Sequence, residues 1–274
     1  MKTIIVATDF SRSAETALKY ATFISKFTSA TIVLVNYYRF NIHALNARLS
    51  PKSMGKLVQN NQKHLESYAK QASLKYSVPL KSFTITSLSQ ESLSEFAEKC
   101  KAGMIIMGMR QDYSAYLSSE NISTNIILHS KIPVLVIPEK VEFKFPEKVL
   151  YACDYQTGPH KEHLSSLKEI INSFDSELQV FHVWRNQQII REEEGTRGTL
   201  VAQIENSIGT VQHTYRDLLS ENIIAGLEEG IKDFKADILV MSPHRYNFWN
   251  SLFHKSKTLA MAFKSSIPLL SLPS

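Results

Sequence analysis

The chain contains two copies of one sequence pattern. Three short segments of the first half recur in the second half in the same order, at an offset of roughly 140 residues. The pairs are 3–9 with 148–154, 102–108 with 236–242, and 132–138 with 267–273. Solenoid repeats run at about 20–50 residues, so an offset of this size corresponds to a whole domain. The sequence therefore predicts a tandem duplication, with domains at 1–140 and 147–274.

Within each half, short apolar runs alternate with helical patterns. The runs of the first half are rich in β-branched residues and show little polar alternation, which is typical of parallel strands covered on both faces. These runs are 3–8, 31–38, 81–88, 103–107 and 132–137. The alternation predicts an α/β fold, in which each domain is a five-stranded, mostly parallel, doubly wound sheet flanked by helices. The charged segment 185–202 interrupts the pattern and indicates a surface loop or a frayed helix.

The composition is that of an ordinary globular protein, with 43% hydrophobic and 21% charged residues. Because no apolar stretch has the length of a membrane helix and no secretory signal is visible, we expect a cytoplasmic protein without a membrane partner. Cys100 and Cys153 lack the spacing of a metal site and fit a reducing compartment. A net charge of +5 favours anionic partners, but it is too small to indicate nucleic acid.

An aspartate stands at the end of the first strand of each copy. Asp9 and Asp154 both lie at the carboxyl edge of a predicted sheet, where ligands of open α/β sheets bind. Each can accept backbone N–H bonds from the following helix, or it can accept bonds from a ligand. His160 and His163 lie three residues apart, but no further ligand completes a metal set, so we expect no metal site.

Several short motifs together resemble the universal stress protein family. The opening strand of the first copy ends in Val6-Ala-Thr-Asp9-Phe-Ser11, and the second copy has His182-Val183 in its second strand. Both copies have an Ala-x-x-[Ile/Leu]-[Ile/Val]-Met strand and close on Ile-Pro. The resemblance covers nearly all of both halves. It implies two tandem Rossmann-like domains of the HUP type, a role in stress response, and pairing of the copies through their last strands, 132–137 and 267–272.

ATP-binding members of that family hold the phosphates with Gly-x-x-Gly and a later Gly-Ser, because glycines let backbone N–H groups approach closely. The first copy keeps Gly108, but Gln111 replaces the second glycine, and Glu120-Asn121 replaces Gly-Ser. A carboxylate there opposes a phosphate. We therefore expect that the first copy has lost its phosphate site and does not bind ATP.

In the second copy, cationic residues replace these glycines. Ser242-Pro-His244-Arg245 replaces Gly-x-x-Gly, and Lys255-Ser256 replaces Gly-Ser, with His254, Lys257 and Thr258 beside it. The resemblance places Asp154, His182 and Val183 on the adenine and ribose side of the pocket. One interpretation is an anion site for ATP, AMP or another small anionic ligand. The other is a solvated basic loop, with Phe248 or Trp249 filling the pocket.

These observations favour a non-catalytic binding or signalling module with no catalytic residues. Its first copy has a degenerate pocket, and its second copy keeps a modified pocket, for which the anion site and the basic loop both stay open. A nucleotide-binding protein with slow ATPase or phosphotransfer activity is one alternative, and a purely structural assembly scaffold is another. Expected partners are the two copies for each other, a protein partner of unknown identity, and further copies of the chain in a homo-oligomer.

Overall fold

A computed structural model of the chain describes residues 2–38, 50–86, 92–110, 122–154, 161–243 and 256–273. All strands of these residues belong to one ten-stranded sheet, in the order β3-β2-β1-β4-β5-β10-β9-β6-β7-β8. Each half of the chain contributes five neighbouring strands. Helices cover both faces of the sheet, as the sequence predicts for a doubly wound α/β fold.

The described residues of the first half form β1 to β5 and four helices. Their bounds are β1 Thr3–Thr8, α1 Arg12–Thr28, β2 Thr31–Tyr38, α2 Pro51–Tyr76, β3 Leu80–Thr86, α3 Leu93–Lys99, β4 Met104–Met109, α4 Ile122–His129 and β5 Val134–Pro138. β1 and β4 are buried along almost their whole length, because both of their faces are covered by helices. β3 alternates between exposed and partly buried residues, as expected for the strand at the sheet edge.

The second half repeats this order. Its elements are β6 Lys148–Ala152, α5 Lys161–Phe174, β7 Glu177–Trp184, α6 Gln187–Ile208, β8 His213–Leu219, α7 Ile223–Phe234, β9 Ile238–Met241, α8 Lys257–Lys264 and β10 Leu269–Ser271. Every pair of neighbouring strands within a half is parallel. Side chains on one face of the sheet pack against α1, α2, α5 and α6, and side chains on the other face pack against α3, α4, α7 and α8.

The two halves are joined where β5 and β10 pair antiparallel. Leu135 lies opposite Leu270, Val136 opposite Leu269 and Val134 opposite Ser271. Leu135 and Leu270 occupy equivalent positions in the two copies, so a pseudo-twofold axis passes between them. The Ser271 hydroxyl also donates to the Ile127 carbonyl of α4, at 2.9 Å. These contacts confirm the predicted pairing of the last strands.

The segment between the halves, residues 139–147, contains no helix or strand and lies across α1. Phe143 stacks on Phe23 with ring centroids 4.4 Å apart, and the Thr16 hydroxyl donates to the Glu139 carbonyl at 3.0 Å. At the far end, the Lys144 ammonium meets the buried Asp237 carboxylate at 2.6 Å. The linker is therefore bound to both halves.

Of the two alternatives for 185–202, a surface loop or a frayed helix, the structure shows a helix, since α6 runs from Gln187 to Ile208. The charges and glycines near its start disfavour a helix locally. Further along, Leu200, Ile204 and Ile208 are buried against the sheet at helical spacing. Tertiary packing of this apolar stripe outweighs the weak local propensity.

Candidate functional site

The strand order puts the switch-point crevice of the second half at the carboxyl ends of β6 and β9. β6 lies between β9 and β7 in the sheet. The chain goes from β6 to β7 on one side and later returns to β9 on the other side, so the winding direction reverses between β6 and β9. Asp154 follows β6 at the crevice, and Ser242 follows β9. This is the switch point at which open α/β sheets bind their ligands.

The start of α8 lies at the same crevice. Ser256 is the N-cap, and its hydroxyl accepts the backbone N–H of Leu259 at 3.3 Å. Lys257, the first helical residue, is half-buried, and burial lowers the pKa of its ammonium, while the Asp154 carboxylate opposes that shift. A lysine here adds to the positive end of the helix instead of compensating it. Lys257 was named in the sequence only as a neighbour of Lys255-Ser256, and the structure makes it a candidate site residue.

His182 lies under the crevice on β7. Its Nδ1 contacts the Cys153 carbonyl oxygen at 2.8 Å, so Nδ1 carries the proton and donates. The imidazole is buried and makes an edge contact with the Trp184 ring, at 4.3 Å between centroids. The hydrogen bond fixes the ring plane and orients Nε2.

Three further polar groups lie at the base of the crevice. Burial raises the pKa of Tyr151 well above its usual range and raises that of Cys153 to about 12, so both remain protonated at neutral pH. The Ser242 hydroxyl oxygen is buried and lies near the Tyr151 hydroxyl, whose pKa it lowers. It makes no hydrogen bond of acceptable geometry to the residues that the structure describes. A buried hydroxyl in that position can still bind a ligand oxygen.

The side chain of Val183 does not face the crevice. A side chain added at Gly226 of α7 would meet Val183 Cγ1 at 2.7 Å, so the valine packs on the opposite face of the sheet from His182. Neighbouring residues of a strand point to opposite faces. The side chains that the structure brings together are those of Asp154, His182, Ser242, Ser256 and Lys257, together with Tyr151 and Cys153.

In the first half, the equivalent crevice holds different contacts. The Ser11 hydroxyl caps α1, and the exposed Asp9 accepts the Ser11 backbone N–H at 3.0 Å. Arg110 approaches the same carboxylate at 4.0 Å. A Cβ at Gly108 would lie 2.1 Å from the Ser13 carbonyl oxygen, so this glycine is required where β4 approaches the start of α1.

Asn36 occupies the position of His182 in the first half, and the sequence gives no warning of its role. Its amide donates to the Thr8 carbonyl at 2.7 Å, as His182 donates to Cys153. Asn61 of α2 then donates to the Asn36 side-chain oxygen at 2.9 Å. Helix α2 thus closes over the end of β2. Aligning the two copies residue by residue pairs Asn36 with His182, but it does not point to Asn61.

Several predicted residues lie outside the described part of the chain: His244, Arg245, Lys255, Gln111, Glu120, Asn121, His160, Phe248 and Trp249. Among the residues that are described, no three His, Cys, Asp or Glu side chains are grouped to hold a metal ion. A search over the same residues finds no helix long and apolar enough to cross a membrane.

Comparison with known proteins identifies the family. The model of the universal stress protein family matches residues 1–138. A universal stress protein from Archaeoglobus fulgidus DSM 4304 superposes with a TM-score of 0.71 at 14% identity, covering 99% of this chain and 98% of that one. A putative universal stress protein from Pseudomonas aeruginosa UCBPP-PA14 gives 0.57 at 13% identity, covering 100% and 93%. These two likenesses establish the fold. No curated protein matches the sequence. The family match extends over half of the chain, which therefore belongs to the universal stress protein family.

Proposed function

We propose that the chain is a non-catalytic ligand-binding module of a cytoplasmic stress response, and that its second half binds a small phosphate-bearing anion such as ATP or AMP. The observation that carries this proposal is the cationic start of α8. Lys257 is half-buried beside the positive end of the helix, and burial lowers the pKa of its ammonium. An anion at this point would accept hydrogen bonds from the helix N–H groups and a charge-assisted bond from the Lys257 ammonium.

The surrounding side chains suit a nucleotide-like ligand. The buried Ser242 hydroxyl can donate to a phosphate oxygen. Asp154 lies near enough to act on the Lys257 ammonium, and its carboxylate can accept hydrogen bonds from ribose hydroxyls. His182 is held in one orientation by the Cys153 carbonyl. The site thus offers donors and a cation for an anionic group, and an acceptor for a sugar.

These residues support binding of a ligand without catalysis. The Cys153 pKa of about 12 keeps its thiol protonated and weakly nucleophilic at neutral pH. Tyr151 is likewise held neutral by burial. In the first half, Arg110 approaches Asp9 and Asn61 binds Asn36, so groups that would meet a ligand already have protein partners. We propose that this half is structural and does not bind ATP.

A thermal-unfolding panel tests the proposal. The full chain is heated with ATP, AMP, cyclic dinucleotides and coenzyme A, with adenosine as the control that lacks a phosphate. A ligand present at 100 times its dissociation constant should stabilise the protein by about 2.7 kcal/mol and raise its Tm. Stabilisation by phosphate-bearing ligands but not by adenosine supports the proposal. An unchanged Tm with every ligand would favour a structural scaffold, and release of phosphate from ATP would overturn the non-catalytic assignment.

A further inference from the structure

An apolar cavity lies at the junction of the two halves, away from the proposed anion site. It has a volume of about 60 Å³ and lies between α1 and α5, above the pseudo-twofold axis. Leu135 and Leu270, the residues that pair across the axis, form its floor, and Ile24 and Ile170 form its walls. Both copies and the linker are needed to enclose it.

The polar groups of the lining are engaged by the protein. The Thr28 hydroxyl donates to the Ile24 carbonyl at 2.9 Å, and the Ser173 hydroxyl donates to the Glu169 carbonyl at 2.7 Å. The Tyr20 hydroxyl is directed to the Lys144 carbonyl at 3.5 Å. The interior therefore presents mainly carbon atoms, and a cavity of this kind stays dry and binds apolar groups.

The linker forms the cover of the cavity and extends its apolar surface outwards. Phe143 lines the cavity and contacts Phe145, with ring centroids 5.4 Å apart. Phe145 in turn makes an edge contact with Phe27, and these two rings are 42% and 57% exposed. An apolar strip thus leads from the cavity to the protein surface, where such large side chains are otherwise unfavourable.

We propose that this cavity binds the alkyl chain of a free single-chain amphiphile, with the chain end inside and the head group in solvent. The volume is far below the roughly 300–1,000 Å³ of sites that enclose drug-sized ligands, so a nucleotide or a branched ring system does not fit. Its apolar lining between α1 and α5 admits the end of an unbranched chain, of which only the last few carbon groups are enclosed. A bound alkyl chain would fix the linker against both halves, because Phe143 of the linker covers the cavity.

Titration of the full chain with straight-chain alkanoates of increasing length tests this site, with each acid kept below its critical micelle concentration. Affinity should rise about fourfold per methylene group and then level off once the cavity is filled. Changing Ile170 to Trp fills the cavity and should weaken binding at least tenfold. The matched control is Ile224→Trp, which places the same ring on a half-buried position of α7 and should leave binding unchanged.

Methyl resonances of the methionines locate the ligand even if a variant fails to fold. Met104 lines the cavity, whereas Met241 belongs to the other face of the sheet. An alkanoate should shift the Met104 methyl signal and leave that of Met241 in place. The proposal is overturned by affinity that does not depend on chain length, by equal binding of both tryptophan variants, or by shifts at Met241 alone. Cosedimentation with phosphatidylcholine vesicles without alkanoate binding would also overturn it, since it would assign the strip to a membrane surface.

Discussion

At the scale of single residues, Gly108 and Ser242 show how equivalent positions of the two copies have diverged. Gly108 is needed for packing, because a Cβ there would lie 2.1 Å from the Ser13 carbonyl oxygen. Ser242 carries a side chain at the same point of the second copy, and its hydroxyl oxygen is buried without a hydrogen bond among the described residues. The first position is constrained by the backbone of α1, and at the second we propose that the hydroxyl serves a ligand.

Changing Gly108 to Ala should lower the free energy of unfolding by about 1–3 kcal/mol, because the backbone of α1 must move away. Gly55 is the control, since it lies in the interior of α2 and a Cβ there meets nothing within 4 Å. Gly55→Ala should stabilise the protein by about 0.5–1 kcal/mol through helix propensity. Urea denaturation measures both. Equal effects of the two variants would contradict the packing role of Gly108.

His213 makes stability depend on pH. Its Nδ1 faces the Val211 carbonyl at 2.7 Å and its Nε2 faces the Glu205 carboxylate at 2.9 Å, so only the doubly protonated ring satisfies both. Burial alone would lower the pKa of His213, but the hydrogen bonds to Val211 and Glu205 raise it overall. Because the pKa is raised in the folded state, the stabilisation is complete below the unfolded value of about 6.5. It is lost as the pH rises through the folded-state pKa.

His213→Gln should therefore be less stable than the parent at low pH, and the difference should shrink as the pH rises from about 5 to 8. Urea midpoints of both proteins across this range are the measurement. A difference that stays constant with pH would show that the histidine acts through packing and not through its charge.

At the scale of elements, the apolar runs predicted the sheet well because fully covered strands need continuous apolar residues. For α6 the sequence left a surface loop and a frayed helix open, since Glu192, Glu193 and Gly195 give a local signal opposite to that of its buried stripe. The resemblance to the family implied the pairing of the last strands, and the bare apolar edge that each copy would otherwise expose favours it. The register of this pairing could not be predicted, because it depends on contacts that only the folded halves create, such as that of Ser271 with α4.

The β5–β10 junction should be an energetic weak point if its core is removed. Leu270 is 1% exposed and pairs with Leu135, so Leu270→Ala should lower the free energy of unfolding by about 2–5 kcal/mol. Leu74 is 76% exposed on α2, and Leu74→Ala should change it by less than about 0.5 kcal/mol. Similar losses for both leucines in chemical denaturation would argue against a packed junction.

At the scale of the whole molecule, duplication gives two crevices and one junction, and each has a different chemical character. At the first crevice Arg110 contacts Asp9 and Asn61 contacts Asn36, the second combines a half-buried lysine with a helix start, and the junction is apolar. The sequence indicated the contrast between the crevices through the residues at the lost glycine positions. The cavity was not predictable, because its walls come from α1, α5 and the linker, which are far apart in the chain.

Calorimetric titration of an anionic ligand into two lysine variants tests the central claim of an anion site in the second half. Lys257 and Lys264 lie at opposite ends of α8, and Lys264 meets only the exposed Glu228 carboxylate, at 2.9 Å. Loss of a charge-assisted bond costs about 1.5–3 kcal/mol, so Lys257→Gln should weaken binding of the best phosphate-bearing ligand by about 10- to 100-fold. Lys264→Gln should bind as the parent does. Equal affinity in both variants, or no binding by the parent, would contradict the anion site.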